Sequence, residues 1–171
     1  MKRLGEEFFH RDVLDVAPDL VGKIIVSNIK GQKIRIRITE TEAYRGEEDT
    51  ACHAHKGRTK RTEVLYGKSG VIYVYLCYGM HWLMNVVTGD EETPQAVLFR
   101  AGENFNGPAK LTKALGVTGE QNLKSLIENS QIWIEDDEKE HSYHTDTRVG
   151  IAYATEEFRD KKWRFILDNS N

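Results

Sequence analysis

Two carboxylates follow an alternating run of isoleucines in the segment KIRIRITETEAYRG. The isoleucines of residues 34–38 share one parity, which continues with Glu40, Glu42 and Tyr44, so a β-strand would carry them all on one face. A carboxylate on a buried face loses hydration, which raises its pKa, and such groups concentrate at functional sites. Glu42 is therefore a candidate functional residue. In the alternative interpretation the strand leaves the core before Glu40, and both glutamates lie in water.

A second candidate cluster is aromatic and lies in VIYVYLCYGMHW. Tyr73 and Tyr75 would share a strand face, whereas Tyr78 falls at a turn in which Gly79 permits a positive φ. Tyrosines in strands commonly pack against neighbouring strands. A large ring at the exposed tip of a hairpin instead favours contact with a partner.

The third cluster is CHAHKGRTKR, which contains Cys52, His53 and His55. Structural zinc requires four ligands, and a second spaced pair of ligands does not follow, so a metal site is disfavoured. His53 alone could donate a hydrogen bond to a phosphate or to a base. The sequence contains no glycine-rich phosphate loop, no nucleophile elbow and no HEXXH motif.

Charge is distributed unevenly along a chain with a formal net charge of −3. Five lysines and arginines but only one acid lie in residues 51–70, whereas seven acids and two lysines lie in residues 120–140. A local basic patch can bind phosphates even on an acidic protein. The alternative is a solvated basic loop with no partner.

Length and composition indicate one domain in a reducing compartment. The chain has 171 residues, of which 39% are hydrophobic, which is enough for a single core. Its charged start lacks the apolar run of a signal peptide, and no apolar stretch is long enough to cross a bilayer. Cys52 and Cys77 are too few for a disulfide framework, so a cytoplasmic location is expected.

The predicted elements are clustered strands with a few helices. A helix capped by Asp15 and ending at Gly22, with Pro18 in its first turn, precedes a hairpin. The predicted strands are residues 23–29, 33–43, 71–77, 83–88 and 96–101, a short strand at Trp133, and closing strands at 147–153 and 163–167. Further helices are predicted from Gly107-Pro108 to Gly116 and over residues 120–128. This order favours an α+β fold with a mostly antiparallel sheet.

Several motifs together resemble one known family. These are ETEAY, a histidine eleven residues after Glu42, YVYLCYGMHWLMN, AVLFRA and GPAKL. Their order and spacing resemble those of the alkyladenine (3-methyladenine) DNA glycosylases, over roughly Phe8 to Phe165. The resemblance implies a single glycosylase domain over residues 1–171, with a protruding β-hairpin that inserts into DNA.

The resemblance also assigns the reacting residues. Glu42 would be the general base that activates the attacking water, and Arg100 would lie near Glu42, the water and the target phosphate. Tyr78 would be the wedge that enters the duplex and fills the gap left by the extruded base. The basic loop and the helix carrying Lys110 and Lys113 would contact phosphates.

Five further residues would form the base pocket by the same resemblance. Tyr44 and Tyr75 would sandwich the extruded base, and His53 would contact its edge. Asn85 would crowd the position of a guanine 2-amino group and so help to reject normal guanine. Ala43 would contribute its backbone to the pocket.

The implied activity is base-excision repair by a monofunctional glycosylase without lyase activity. Expected substrates are 3-methyladenine and 7-methylguanine, with hypoxanthine and ethenoadenine as further candidates, all in double-stranded DNA. No cofactor, metal or membrane is expected, and the protein would be a monomer in the cytoplasm, at the nucleoid in a bacterium or in the nucleus of a eukaryote. Three alternatives stay open: a non-catalytic nucleic-acid-binding module of the same fold, a nucleoside hydrolase, and a metal-dependent protein using Cys52, His53 and His55.

Overall fold

Antiparallel strands dominate the computed structural model, which describes residues 1–129 and 131–169. The strands are β1 Lys2–Arg3, β2 Ile24–Ser27, β3 Ile34–Arg45, β4 Ile72–Cys77, β5 His81–Thr88, β6 Gln95–Gly102, β7 Phe105–Asn106, β8 Ile132–Asp136, β9 Tyr143–Asp146 and β10 Arg164–Leu167. The α-helices are α1 Glu6–Phe9, α2 Val13–Leu20, α3 Pro108–Leu115 and α4 Glu156–Arg159. Short 3-10 helices span His53–Lys56, Glu63–Tyr66 and Gly119–Gln121.

The strands form one connected sheet in the order β1-β8-β2-β3-β6-β5-β4. Strand β10 also pairs with β3 and carries β9 on its other side, while β7 pairs with β6. Every pairing among the described strands is antiparallel. The prediction of a single α+β domain with a mostly antiparallel sheet is confirmed.

One hydrophobic core joins the sheet to α2 and α3. Phe9, Phe99 and Leu111 are among its fully buried side chains. Burying a side chain of this size stabilises the fold by about 1.5–3 kcal/mol. The core therefore fixes the sheet whose other face carries the candidate site.

The two longer helices begin and end where their sequences provide caps, with one correction. Asp12, not Asp15, caps α2, because its Oδ1 accepts a hydrogen bond from Leu14 N at 2.9 Å. Pro18 consequently lies in the second turn of α2 rather than the first. Helix α3 starts at Pro108 as predicted and ends at Gly116, whose φ of 79° closes the helix in the left-handed conformation.

The strand that carries the two glutamates changes its core-facing side partway along. Its pairing with β6 is irregular between Ile38 and Thr41. Ile38 and Ala43 both lie in the core although they differ in parity, and Thr41 Oγ1 donates to a carbonyl of α2 at 2.7 Å. The expectation that the isoleucines and Glu42 share a face is wrong, because a β-bulge shifts the alternation. Glu42 is buried on the side opposite the core.

Two predicted elements are absent from the places where the pattern put them. Residues 120–128 form only the end of the Gly119–Gln121 turn and an irregular segment in place of a helix. Residues 147–153 form a loop instead of a strand, and the strand before that loop is β9. The loop follows β9 directly and passes over β3, which brings it to the candidate site.

The acidic segment at 135–140 is held against the sheet by Arg37 of β3 and by Lys23, which directly precedes β2. Arg37 Nη1 lies 2.8 Å from Asp137 Oδ2, and Lys23 Nζ lies 2.9 Å from Asp136 Oδ1. The Arg37 guanidinium and His141 hold the pKa of Asp137 well below its usual range, against the effect of burial. Asp136 and Asp137 are therefore neutralised locally by structural ion pairs.

Candidate active site

Strand register places two of the predicted site residues, Asn85 and Glu42, on one face of the sheet. Tyr73 of β4 pairs with Asn85 of β5, which pairs with Leu98 of β6, which in turn pairs with Glu42 of β3. Residues paired across antiparallel strands point to the same side. This row therefore brings together side chains that lie far apart in the sequence.

Glu42 is a fully buried carboxylate whose two oxygens each have a donor. Tyr44 Oη donates to Oε1 at 2.9 Å, and Val149 N donates to Oε2 at 2.7 Å. Arg100 Nε lies 3.9 Å from Oε2. Burial raises the pKa of Glu42, while the Val149 N–H, the Arg100 charge and the Tyr44 hydroxyl act in the opposite direction. The group is thus a carboxylate of raised basicity in a fixed position.

Tyr44 keeps its proton in this environment. Burial, followed by the nearby Glu42 charge, raises the pKa of Tyr44 well above its usual value. A protonated hydroxyl can only serve Glu42 as a donor, which matches the hydrogen bond observed. Tyr44 therefore orients the carboxylate as well as forming part of the cleft wall.

Arg100 is shared between two glutamates. Its Nε lies 3.9 Å from Oε2 of both Glu40 and Glu42. Glu40 also pairs with Arg164 Nη1 at 3.4 Å. The side chains of Arg100 and Glu40 stay partly exposed, whereas that of Glu42 is fully buried, so the two carboxylates lie in different environments.

A buried ion pair lies behind the Glu42 carboxylate. Arg148 Nη1 and Nη2 donate to the two oxygens of Asp49 at 2.6 and 3.0 Å. Both side chains are fully buried. Arg148 Nη1 also donates to the Ala43 carbonyl at 3.0 Å, and the Arg148 Cζ lies 4.9 Å from the centroid of the Tyr44 ring. The pair thus contacts the strand residues that directly follow Glu42.

The opposite wall of the site carries neutral rings, with the exposed Arg61 guanidinium over one of them, Tyr75. His53 Nδ1 lies 2.8 Å from Tyr73 Oη, and the His53 ring centroid lies 4.6 Å from that of Tyr75. Burial, with smaller contributions from Arg61 and Lys56, lowers the pKa of His53 to about 4. His53 is therefore neutral at pH 7, and its ring carries one N–H donor and one acceptor.

These residues enclose an open cleft and a smaller cavity beside it. The cleft has a volume of about 560 Å³ and is lined by Glu42, Tyr44, His53, Arg61, Tyr75, Leu76, Cys77, Tyr78, His81, Leu83, Leu98, Arg100, Pro108, Ala109, Val149, Gly150, Ile151 and Tyr153. The cavity, of about 40 Å³, has Asn85 in its wall and shares Tyr44, His53, Tyr75 and Tyr153 with the cleft. A space of 40 Å³ holds water but not a nucleobase, whereas the cleft lies within the usual size range for ligand sites.

Two predicted pocket residues use their polar groups within the protein. Asn85 Nδ2 donates to the Tyr73 carbonyl at 3.1 Å. The Ala43 N–H donates to the Trp163 carbonyl at 2.9 Å, and its carbonyl accepts from Arg148. Ala43 lines neither the cleft nor the cavity, so the structure brings it beside the site but not into its wall.

The hairpin between β4 and β5 presents an exposed aromatic tip. Tyr78 is 91% exposed and has a φ of 52°, followed by Gly79 with a φ of 69°. A positive φ is rare for a bulky residue and marks positions where strain is tolerated for function. Met80, which is 70% exposed, follows in the same turn. Tyr78 also lines the cleft, so the tip and the buried carboxylate border one space.

The basic loop is only partly available to a partner. Arg58 pairs with Glu63 at 2.6 Å and with Glu92, and its Cζ lies 4.8 Å from the centroid of the Tyr66 ring. Lys60 and Arg61 are exposed and make no ion pair with any described residue. The loop therefore offers fewer free cations than the sequence count implies.

Sequence reasoning missed three residues of the site, all in the loop after β9. They are Arg148, Val149 and Tyr153. Tyr153 lines both the cleft and the cavity, and its Oη donates to the Ala51 carbonyl at 2.9 Å. Their signal was obscured because residues 147–153 resemble a strand. A buried arginine and a backbone N–H carry no periodic pattern that could identify them.

Residues 1–129 and 131–169 contain neither a membrane-spanning helix nor a metal-binding cluster. No helix there has the length and apolar content needed to cross a bilayer. In the same ranges no group of three or more His, Cys, Asp or Glu side chains is arranged to hold a metal ion.

The sequence matches one enzyme family over almost its whole length. A family model described as methylpurine-DNA glycosylase (MPG) matches residues 7–106 and 103–171. The chain belongs to the methylpurine-DNA glycosylase family. It is accordingly a DNA glycosylase, a hydrolase of base-excision repair whose substrate is DNA, and the resemblance found in the sequence is confirmed.

Curated relatives that align with nearly the whole chain share one name. A "Putative 3-methyladenine DNA glycosylase" of Desulfitobacterium hafniense (strain Y51) is 44% identical, covering 99% of this chain and 97% of the relative. Proteins of the same name from Natranaerobius thermophilus and Chlamydia abortus are 40% and 42% identical, and each alignment covers 98% of this chain and at least 96% of the relative. The first alignment has 198 positions against 171 residues here, so that relative contains residues with no counterpart in this chain.

Proposed function

We propose that this chain turns damaged purines out of double-stranded DNA and hydrolyses their N-glycosidic bond with a water molecule activated by Glu42. The observation that carries the proposal is the buried Glu42 carboxylate, held by two hydrogen-bond donors and Arg100 in a cleft whose other wall is aromatic. Residues 1–171 would act as one glycosylase domain and as a monomer.

Glu42 has the acceptor sites that a general base needs. Each oxygen accepts one hydrogen bond, and a carboxylate offers about four lone-pair sites, so lone pairs remain that could accept a hydrogen bond from a water. The water oxygen would bond to the anomeric carbon while the bond from that carbon to the base nitrogen breaks. The proton of the water passes to Glu42, and the electron pair of the broken bond leaves with the base. The anionic carboxylate also stabilises the oxocarbenium-like sugar.

Aromatic rings on both sides of the cleft would bind the extruded base. Tyr44 and Tyr75 both line the cleft, and stacking on such rings contributes about 1–3 kcal/mol per base with little sequence preference. Cationic alkylated purines gain a further cation–π attraction. His53 would contact the edge of the base with one ring nitrogen, and Asn85 would exclude the 2-amino group of normal guanine.

The charge state of His53 bears on which bases leave readily. Because the pKa of His53 is about 4, the ring supplies no imidazolium proton to a leaving base at neutral pH. Alkylated purines such as 3-methyladenine and 7-methylguanine are already cationic and leave without an acid. Hypoxanthine and ethenoadenine would need protonation from another source and would be slower substrates.

The reaction would stop at an abasic site. A lyase forms a Schiff base through an amine, and none of the described residues that line the cleft is a lysine. With water as the nucleophile no covalent intermediate arises, so the enzyme would be monofunctional.

Binding to the duplex would rely on Tyr78 and a few cations. Flipping a base costs a few kcal/mol, least for a damaged pair, and the exposed ring of Tyr78 would fill the resulting gap. Exposed Lys60, Arg61, Lys110 and Lys113 would contact phosphates. Affinity should then fall steeply with salt although the net charge is negative.

The test is excision from duplexes that each carry a single lesion. Alkaline strand scission should appear after incubation with duplexes containing 7-methylguanine and, more slowly, hypoxanthine. Borohydride should trap no protein–DNA adduct. Wild-type protein that leaves every lesion intact would overturn the proposal, and a trapped adduct would overturn its monofunctional part.

Free damaged nucleosides and single-stranded oligonucleotides complete the panel. A nucleoside hydrolase would cleave free nucleosides as well as it cleaves the duplex, and it would not need Tyr78. Preference for the duplex, lost when Tyr78 is replaced, supports action on DNA.

A further inference from the structure

The buried pair of Arg148 and Asp49 lies outside the cleft that the proposed reaction uses. Neither side chain lines the cleft, and both are fully buried. Placing two charges in the interior is unfavourable unless geometry and hydrogen bonding compensate. Here two hydrogen bonds join the pair, and further donors satisfy Asp49: Arg45 N at 2.9 Å and Ala51 N at 3.0 Å. That Asp49 accepts four hydrogen bonds to hold the Arg148 guanidinium in place indicates that the pair does more than fill the interior.

The first contact of Arg148 with the site runs through the backbone. Arg148 Nη1 donates to the Ala43 carbonyl at 3.0 Å, and Nη2 donates to the Phe158 carbonyl at 3.0 Å. These bonds tie the loop after β9 to the strand residue that follows Glu42. The next residue in the loop, Val149, then directs its N–H to Glu42 Oε2 at 2.7 Å. The position of this donor thus depends on the anchored guanidinium.

The second contact runs through the Tyr44 ring. The Arg148 Cζ lies 4.9 Å from the Tyr44 centroid and 5.1 Å from that of Trp163. A guanidinium within about 6 Å of a ring attracts it, more so when both are desolvated. Tyr44 in turn donates to Glu42 Oε1 at 2.9 Å. Both oxygens of Glu42 are therefore held by groups that Arg148 holds.

We propose that Arg148, anchored by Asp49, is a positioning residue for hydrolysis: it fixes the Val149 N–H and the Tyr44 hydroxyl, and through them the Glu42 carboxylate. This inference rests on the role proposed above for Glu42. Arg148 touches neither the base nor the water. Its loss should slow the chemical step and leave lesion binding by the hairpin and exposed cations unchanged.

The pH profile separates positioning from simple structural support. Charged or titratable groups near Glu42 come from β3, β4, β6 and the loop after β9: they are Glu40, Tyr44, Tyr75, Arg100, Arg148 and Tyr153. The Val149 N–H and the Arg148 charge both lower the pKa of Glu42. Without Arg148, the pKa of Glu42 should be higher. The acidic limb of the pH–rate profile, where the rate falls as Glu42 is protonated, should therefore move to higher pH. A variant that is merely less stable would lose active protein but keep the limb in place.

The experiment compares Arg148→Met, Arg148→Lys and Asp49→Asn with Arg159→Gln, a matched control on exposed α4. Single-turnover excision of 7-methylguanine is measured against pH, together with lesion-duplex affinity and thermal unfolding. Arg148→Met should lower the rate by about 10- to 100-fold, the range expected when a reacting group is slightly misplaced. Affinity should fall by much less than the rate does, because Tyr44 is the single base-binding residue that Arg148 contacts, and the acidic limb should move to higher pH. Arg148→Lys should recover part of both effects, and Arg159→Gln should match wild type.

Each outcome bears on the inference. A folded Arg148→Met that cleaves at the wild-type rate with an unmoved acidic limb would overturn it. If Arg148→Met does not fold, Arg148→Lys and Asp49→Asn provide the test. An acidic limb that stays at its wild-type pH in both variants would equally overturn the inference. Wild-type protein without any excision would refute the proposed function instead, so the two failures are distinguishable.

Discussion

The two walls of the cleft are held in different ways. On the carboxylate wall, each oxygen of Glu42 has a fixed donor, and the buried pair of Arg148 and Asp49 lies behind it. On the ring wall, His53 and Tyr75 meet edge to face, with centroids 4.6 Å apart, and the single described hydrogen bond of His53 goes to a tyrosine hydroxyl. A carboxylate held by fixed donors lies on one side, and aromatic rings lie on the other, with the exposed Arg61 guanidinium 5.2 Å from the centroid of the Tyr75 ring.

This difference shows how one cleft can position a general base precisely and still bind several different damaged bases. A general base works only at a defined distance and angle, so its surroundings are over-determined. Stacking tolerates many base shapes because every base has an aromatic face. Substitutions on the carboxylate wall should therefore act on turnover, and substitutions on the ring wall should act on affinity and substrate ranking.

Replacing Glu42 should have the largest effect. Glu42→Gln keeps the shape of the side chain but removes the acceptor of the water proton, so single-turnover excision should fall by about 10²- to 10⁴-fold. Affinity for a lesion duplex should persist. The matched control is Glu40→Gln, because Glu40 lies equally close to Arg100 but is partly exposed. An excision rate for Glu42→Gln near that of wild type would exclude Glu42 as the base.

Removing a ring from the other wall should have a smaller effect of a different kind. Tyr75→Leu should weaken lesion binding by about 1–3 kcal/mol, the usual contribution of one stacked base. Tyr75→Phe keeps the ring and should bind as wild type does. Affinities measured in the Glu42→Gln background exclude turnover from the comparison. If Tyr75→Leu lowers the rate at saturating protein without weakening binding, the proposed division between the walls is wrong.

Tyr78 lies at the mouth of the cleft and should affect only the extrusion step. Tyr78→Ala should slow excision from duplex DNA by about tenfold, since the flipped state loses the group that fills its gap. Excision from a single strand, where nothing must be unpaired, should stay unchanged. Leu123→Ala is the control, because Leu123 is an exposed apolar residue outside the cleft. If Tyr78→Ala lowers the excision rate equally on single-stranded and double-stranded DNA, Tyr78 does not act as a wedge.

The strands of the site were largely predictable from the sequence, because alternation and turn residues are local signals. The β2–β3 hairpin, the β4–β5 hairpin with Tyr78 at its tip and the Pro108–Gly116 helix all followed from such signals. The residue roles came from family motifs instead. The bulge after Ile38 was not predictable, since it depends on how β6 pairs with β3.

The loop after β9 was missed for a related reason. Val149 acts through its backbone N–H, which any residue except proline possesses, and Arg148 reaches Asp49 across a large sequence separation. Neither contact leaves a periodic trace in the sequence. The part of the site that no pattern predicts is thus the part that holds the carboxylate in place.

The last prediction concerns the ring wall alone and is a pH dependence of stability, with no change in activity required. The pKa of His53 is about 4 in the folded protein because burial disfavours its charged form, whereas an unfolded chain has a value near 6.5. Between these values the unfolded state binds a proton that the folded state does not. The free energy of unfolding should therefore decrease as pH falls from about 6.5 towards 4, by up to about 1.4 kcal/mol per pH unit.

Urea unfolding of wild type and His53→Gln across this pH range isolates the effect. Their difference in stability should change with pH in the stated direction, because the variant lacks the group that titrates. His55→Gln is the matched control, since His55 lies in the same 3-10 helix but is exposed. A difference between wild type and His53→Gln that stays constant from pH 7 to 4 would mean that the ring accepts a proton in the folded state. The ring wall would then carry charge like the wall opposite, and a cationic base would be repelled by His53.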